Sequence, residues 1–364
     1  MNDIQAPDYS GSSLVNLIAS VETWATGDSQ HPVLADRHGW HPSDASTTVL
    51  VLFDGLGAHQ LSHPLAAELA RSLRSTIDAP FPSTTTVSLS TIATGRTAAE
   101  HGMLGYLMWL PEAGKLVNTI HMRSAWGEPV DIDLDRFLPT PNLWERLATG
   151  GVDTIVVQPG NFADSALTRV LYRGARFEGY WNPGEAVDVT VDVASHERRL
   201  VFLYVPFVDL AAHLAGQASD AYRDAMATAA AIWRELSSRL PDEVTLVGTA
   251  DHGHIDIPVH RRIELSNAAM RDVRLFGDGR ALYVKGDPGD VLEELPGTWV
   301  PRPDLDRLWG SVPLNPGLEG RAPDGVILVA EGHAGLTDVM NPAMVGHHGG
   351  LAAEEREIPI LVRG

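Results

Sequence analysis

Val244-Thr245-Leu246-Val247-Gly248-Thr249-Ala250-Asp251-His252-Gly253 is the stretch on which the reading of this chain turns. Its first half is short, apolar and β-branched, the pattern of a buried strand. A carboxylate and an imidazole follow side by side, where that strand should end. In parallel α/β sheets, ligands bind at the carboxyl ends of strands. Burying an Asp and a His together is costly unless something pairs with them. A divalent cation pairs with both, and its remaining ligands should then lie at other strand ends.

Apolar runs at 48–53, 154–157, 200–205 and 325–329 read as further core strands. Helix-like stretches lie among them at 59–73, 142–147 and 220–240. Strands alternating with helices predict an α/β fold with a doubly wound, mostly parallel sheet flanked by helices. Between 258 and 340 the composition changes. Prolines and glycines cluster from 296 to 323 with Trp299 and Trp309 among them, and a strand at 281–284 and a short helix at 288–295 are expected. This segment reads as an inserted cap-like subdomain. The core then comprises 1–257 and 341–364, with a last strand at 358–362 rejoining it.

The 364 residues are 44% hydrophobic and 20% charged, as in ordinary globular proteins with a sizeable core. A net charge of −20 argues against a surface built for nucleic acid polymers or anionic membranes. It does not exclude an anionic substrate, because bound cations reverse the sign of a site locally. The absence of cysteine excludes disulfides, thiolate nucleophiles and Cys-based zinc sites. Only Lys115 and Lys285 are lysines, and arginine supplies every other fixed positive side chain, a bias read as one of coding rather than function. Met1-Asn2-Asp3-Ile4-Gln5 lacks the basic start and apolar core of a signal peptide. No apolar run approaches the roughly 20 residues of a membrane span. A cytoplasmic protein with no membrane partner is expected.

Four other segments carry groups that a cation at Asp251 would need. The run at 48–53 leads into Asp54-Gly55-Leu56-Gly57, another carboxylate at a carboxyl end; the plainer reading is a turn Asp capping the next helix. Asp209-Leu210-Ala211-Ala212-His213 follows the run at 200–205. On a helix, Asp209 and His213 share one face, a spacing by which one helix grips a metal and equally that of a cap and a solvated His. Gly346-His347-His348-Gly349-Gly350 sets two imidazoles in a glycine frame, which permits close backbone approach or simply forms a surface loop. Phe81-Pro82-Ser83-Thr84-Thr85-Thr86 precedes an apolar helical stretch ending at Thr94-Gly95. Its hydroxyls could merely cap that helix. One of them could also sit where the macrodipole favours an alkoxide and a phosphate.

In this order the pieces resemble the alkaline phosphatase superfamily and, within it, the type I phosphodiesterase/nucleotide pyrophosphatase family. Three motifs carry the likeness: Leu52-Phe53-Asp54-Gly55-Leu56; Phe81-Pro82-Ser83-Thr84-Thr85 with Thr94-Gly95 and Glu100-His101-Gly102; and Asp251-His252-Gly253 with Gly346-His347-His348-Gly349. They span residues from about 48 to 360. The resemblance implies an alkaline phosphatase-like fold and two divalent ions, zinc or, given the oxygen-rich site, manganese. One ion would be held by Asp54, Asp251 and His252 and would bind the nucleophile. The other would be held by Asp209, His213 and His348, selected over His347 by the family pattern Gly-x-His-Gly. The nucleophile would be Thr85, about ten residues before Gly95, with Thr84 still open to a shift of one residue.

The implied activity is hydrolysis of phosphodiester or nucleotide pyrophosphate bonds in a small-molecule phosphate ester, through a phosphothreonine intermediate. Two positions depart from the family. Ala212 precedes His213 where glycine is common. Tyr106 stands where the eukaryotic enzymes carry a phosphate-binding Asn, which makes its hydroxyl the candidate substrate contact. A phosphomonoesterase or phosphonate hydrolase on the same scaffold is the alternative. A sulfatase is disfavoured by the missing Cys, a cofactor-independent mutase by Thr in place of Ser, and a dead binding protein by the complete ligand set. His59, His63, His101, His254, His260, His333 and Arg96 read as core or solvated residues. Trp109, Trp126, Trp181 and Trp299 read as packing as readily as surfaces for stacking a base or aryl group.

Overall fold

Strand Thr47–Phe53 is buried at every position in the computed structural model, which describes residues 4–41, 46–310 and 312–363. Met1, Asn2 and Asp3, part of the stretch read for a signal peptide, lie outside the described residues. The strand pairs in parallel with Arg199–Val205 on one side and Val244–Thr249 on the other. Asp153–Pro159 and Arg176–Tyr180 extend the parallel series. Glu357–Val362 runs antiparallel between Val244–Thr249 and the edge strand Leu73–Asp78, completing seven strands.

Both faces of this sheet are covered, which is why its central strands are continuous apolar runs rather than alternating ones. On one face Phe202 meets Trp144 of the helix Leu143–Thr149, which packs with Leu14–Thr26 and Thr85–Thr94. On the other, Phe53 meets Trp233 of Asp220–Arg239, which packs with Pro183–Ala194 and Phe207–Ala215. The doubly wound, mostly parallel sheet expected from sequence is thus present. Among the described residues no helix is long and apolar enough to cross a membrane.

A second seven-stranded sheet, antiparallel throughout, runs in the order 297–301, 325–329, 281–285, 274–278, 107–110, 115–118, 123–124. The run Gly325–Val329 lies here and not in the core sheet, because an apolar run marks burial without saying which sheet buries it. The sheet also draws in residues 107–124, which the sequence reading left in the core, beside the 258–340 segment. The helix expected over 59–73 is broken into the short turns His59–Ser62 and Pro64–Ala66 and the helix Ala67–Arg71. Pro64 lacks an N–H and forces His63 into an extended conformation, so the helical pattern cannot continue through them.

Candidate active site

Three carboxylates converge beyond the carboxyl ends of the three central strands. Asp54 follows strand 47–53, Asp251 follows 244–249, and Asp209 sits in the first turn of helix Phe207–Ala215 after 199–205. Gly55 makes this approach possible. Its φ is +73°, and a Cβ there would lie 2.8 Å from Cα of Asp209, so only glycine lets the two turns touch. The Gly55 N–H donates to Oδ1 of Asp251 at 3.0 Å, as does the His252 N–H. The Tyr204 hydroxyl donates to Oδ2 of Asp54.

One oxygen of each carboxylate is left over. Oδ1 of Asp54, Oδ1 of Asp209 and Oδ2 of Asp251 are buried without a hydrogen-bond partner. Burial, with Asp251 and Asp209 nearby, pushes the Asp54 carboxyl well above the ordinary range. Burial also opposes ionisation of Asp209, but the imidazoles of His213, His348 and His252 outweigh it and hold that carboxyl low. His213 is in turn raised to about 9, because Asp209 overcomes the effect of burial.

The three histidines share one arrangement. Nδ1 lies 3.0 Å from the Gly253 carbonyl in His252, 2.8 Å from the Gly346 carbonyl in His213, and 2.9 Å from the Ser83 carbonyl in His348. A carbonyl only accepts, so each Nδ1 carries a proton and each Nε2 faces the centre with a free lone pair when the ring is neutral. Nε2 of His252 lies 3.6 Å from Asp54 and 3.4 Å from Asp251; Nε2 of His213 lies 3.2 Å from Asp209 and 3.3 Å from Nε2 of His348. The ligand atoms fall into two groups, Asp54/Asp251/His252 and Asp209/His213/His348, each within 4.8 Å. The ring of His348 stacks on that of His252 at 3.7 Å. Orphaned carboxylate oxygens facing anchored imidazoles are a donor set that fits divalent cations of the zinc or manganese type.

The threonine run resolves by position on its helix. Thr84 is the N-cap of Thr85–Thr94, and its hydroxyl turns away to donate to Oδ1 of Asp278 at 3.0 Å. Thr85 opens the helix, and its hydroxyl lies 3.1 Å from Nε2 of His252, beside the first group. His347 is likewise set apart from His348, with Nε2 3.2 Å from the Met344 carbonyl. Tyr106 reaches the same cavity, where its hydroxyl accepts from Asn118 at 2.7 Å. Burial and the nearby Asp278 raise the phenol pKa against the opposing Asn118 bond.

The cavity over these groups measures about 300 Å³, and its lining includes Ile120, Leu214, Leu336, Met340 and Met344. Asp278 also lines it and is absent from the sequence reading, as is Asn118. Gly277-Asp278-Gly279 reads as a hairpin turn, and no local pattern distinguishes a turn Asp from one facing a site.

Residues 48–298 match the family described as type I phosphodiesterase / nucleotide pyrophosphatase. No curated protein matches the chain. Human ectonucleotide pyrophosphatase / phosphodiesterase 5 has a similar structure, with a TM-score of 0.64 and 17% identity over 87% of this chain and 88% of that one. The murine protein, inactive and in complex with AMP, gives 0.65 and 19% over 88% of each chain. Phosphonoacetate hydrolase from Sinorhizobium meliloti 1021, in complex with phosphonoacetate, gives 0.64 and 16% over 89% and 92%. At such identities these likenesses bear on the fold alone. The family match covers more than half of the chain, so the protein belongs to the type I phosphodiesterase / nucleotide pyrophosphatase family and is a phosphodiesterase/nucleotide pyrophosphatase-type hydrolase.

Proposed function

We propose that this protein hydrolyses phosphodiester or nucleotide pyrophosphate bonds with Thr85 as nucleophile, forming and then resolving a phosphothreonine. The observation that carries this reading is the set of three buried carboxylate oxygens without partners, facing three imidazole Nε2 atoms beside the Thr85 hydroxyl. Asp54, Asp251 and His252 would hold one divalent cation next to Thr85, and Asp209, His213 and His348 the second. Two such cations supply Lewis acidity, lowering the hydroxyl pKa and neutralising phosphoryl oxygens.

The chain's own residues do the rest. Thr85 is the first residue of a ten-residue helix, so its oxygen and the phosphate sit at the positive end of the macrodipole. The Thr85 oxygen bonds to phosphorus as the bond to the leaving oxygen breaks; water then cleaves the phosphothreonine and returns the hydroxyl. Tyr106 accepts from Asn118, which leaves its own O–H free to donate to a phosphoryl oxygen. Among the described residues lining the cavity there is no Lys or Arg, while five are apolar aliphatic or methionine side chains. This favours a diester, with one charge and an organic ester group, over a monoester or phosphonate whose extra charge needs a cationic side chain. We further propose that the site works in the cytoplasm.

The experiment is Thr85→Ala, assayed on bis(4-nitrophenyl) phosphate. A loss of at least a thousandfold in kcat is expected, with about two metal ions per chain retained by elemental analysis. Full activity in the variant would remove Thr85 as nucleophile.

A further inference from the structure

The chain has only two lysines, and both line one cleft. That cleft, about 860 Å³, lies on the second sheet, with Lys115, Lys285, Arg271, Trp109 and Trp126 on its walls. Lys115, Lys285, Arg271 and Arg274 set four positive charges against three lining carboxylates, Glu128, Asp272 and Asp338, a local +1 in a chain of net charge −20. Arg271 and Lys285 form no ion pair among the described residues, and Lys285 only donates to the Ala322 carbonyl at 3.3 Å. Lys115 has only an exposed pair with Glu128, of a kind that contributes little. Arg274 stacks over Trp109 at 3.5 Å and also pairs with no carboxylate among the described residues. Trp126, 66% exposed, presents its indole on the cleft wall. Thr337, 8% exposed, lines the cleft with its hydroxyl unpartnered.

The cleft and the catalytic cavity are lined from the same elements. Trp109 opposes Leu116 and Leu107 opposes Asn118, so all four share one face of the hairpin 107–118. Asn118 at one end of that face holds the Tyr106 hydroxyl in the cavity; Trp109 and Leu116 at the other end line the cleft. Leu336 and Met340 wall the cavity, and Thr337 and Val339 between them wall the cleft. At about 3.3 Å per strand residue, Trp109 lies roughly 10 Å beyond Tyr106, and Arg274 roughly 13 Å beyond Asp278.

We infer that this cleft is a second subsite, which takes a distal, ring-bearing, negatively charged part of an extended substrate while the scissile phosphorus lies at Thr85. The substrate class is then a phosphodiester or pyrophosphate with a nucleotide-sized anion roughly 10–13 Å from the bond that breaks. This rests on the phosphodiesterase reading above.

Two measurements test it. In the first, ATP is titrated into the full chain stripped of metal, followed by tryptophan fluorescence. Saturable binding is expected, weakened at least tenfold by Lys115→Ser with Lys285→Ser, at least fivefold by Trp126→Ala, and at least tenfold when adenosine replaces ATP. No saturable binding, or unchanged affinity in the double variant, overturns the subsite. In the second, with metal restored, the ratio of kcat/KM on diadenosine tetraphosphate to that on bis(4-nitrophenyl) phosphate should fall at least tenfold in the double variant. A ratio within twofold of wild type, or a wild type that cleaves only the aryl diester, removes the subsite and leaves the phosphodiesterase reading standing. A wild type that hydrolyses neither compound overturns that reading, and the substrate role of the cleft with it.

Discussion

Asp278 shows how much a single buried residue can do at the lining of a site. It accepts from the Thr84 hydroxyl, fixing the cap of the helix that Thr85 opens, and from the Tyr106 N–H at 3.4 Å. Burial pushes its carboxyl up to about 6 against those two donors. The folded pKa exceeds the unfolded one, so the stability this residue confers is complete below about pH 4 and is lost as pH rises toward 6. Asp278→Asn keeps an acceptor for Thr84 and removes the charge. On the metal-free chain, its stability relative to wild type should therefore rise by on the order of 2–3 kcal/mol between pH 4 and pH 7.5, read by urea unfolding. A flat difference across that range would show that Asp278 is not held neutral by its surroundings. His101 gives the opposite sign. Burial lowers it to about 3, so stability present above about pH 6.5 is lost as pH falls toward 3; His101→Gln should flatten that slope, by about 1.4 kcal/mol per pH unit. At this scale the two Asp/His groups were legible because their residues follow buried apolar strands or stand in a glycine frame. Thr84 against Thr85 was not, since one residue of helix phase separates a cap from a group facing the site.

At the scale of elements, the turn after strand 47–53 and the first turn of helix 207–215 must touch, and Gly55 is their contact. Gly55→Ala adds a methyl 2.8 Å from the Asp209 backbone at a φ of +73°, which should cost on the order of 2–4 kcal/mol. Because the strain falls on Asp209, the proposed complement of two ions per chain should drop toward one. A variant with both ions and wild-type stability would show that the two turns have slack. The core strands were readable because burial on both faces leaves only apolar side chains in a row. Helix Asp220–Arg239 was readable from its spacing. The hairpin 107–118 was not. Its first strand is an apolar run of only four residues, Leu107–Leu110, and its partner strand, met through Gly277 and Leu107, is remote in sequence. The break at Pro64 was a local signal that the reading passed over.

Across the whole molecule, the two sheets are tied by a buried ion pair. Arg280, in the second sheet's turn, lies 3.0 Å from Glu355, and both side chains are almost fully buried. Glu355 also accepts from the Gly350 N–H, two residues after His348, and its carbonyl accepts from the Gly253 N–H, next to His252. Glu355→Ala strands the guanidinium and should cost about 3–5 kcal/mol, whereas Arg280→Met with Glu355→Leu should cost distinctly less. Equal losses in urea unfolding would assign the effect to packing rather than charge. That same division between sheets carries a kinetic consequence. Asp54, Thr85, Asp251 and His252 are assembled by the parallel sheet, whereas Tyr106 and Asp278 arrive only when 107–110 finds 274–278 across a long span of chain. Such distant pairing is slow to form. On dilution from denaturant, the chain should regain a metal-capturing centre before it regains turnover, passing through a species that holds its ions and cannot yet grip a phosphate.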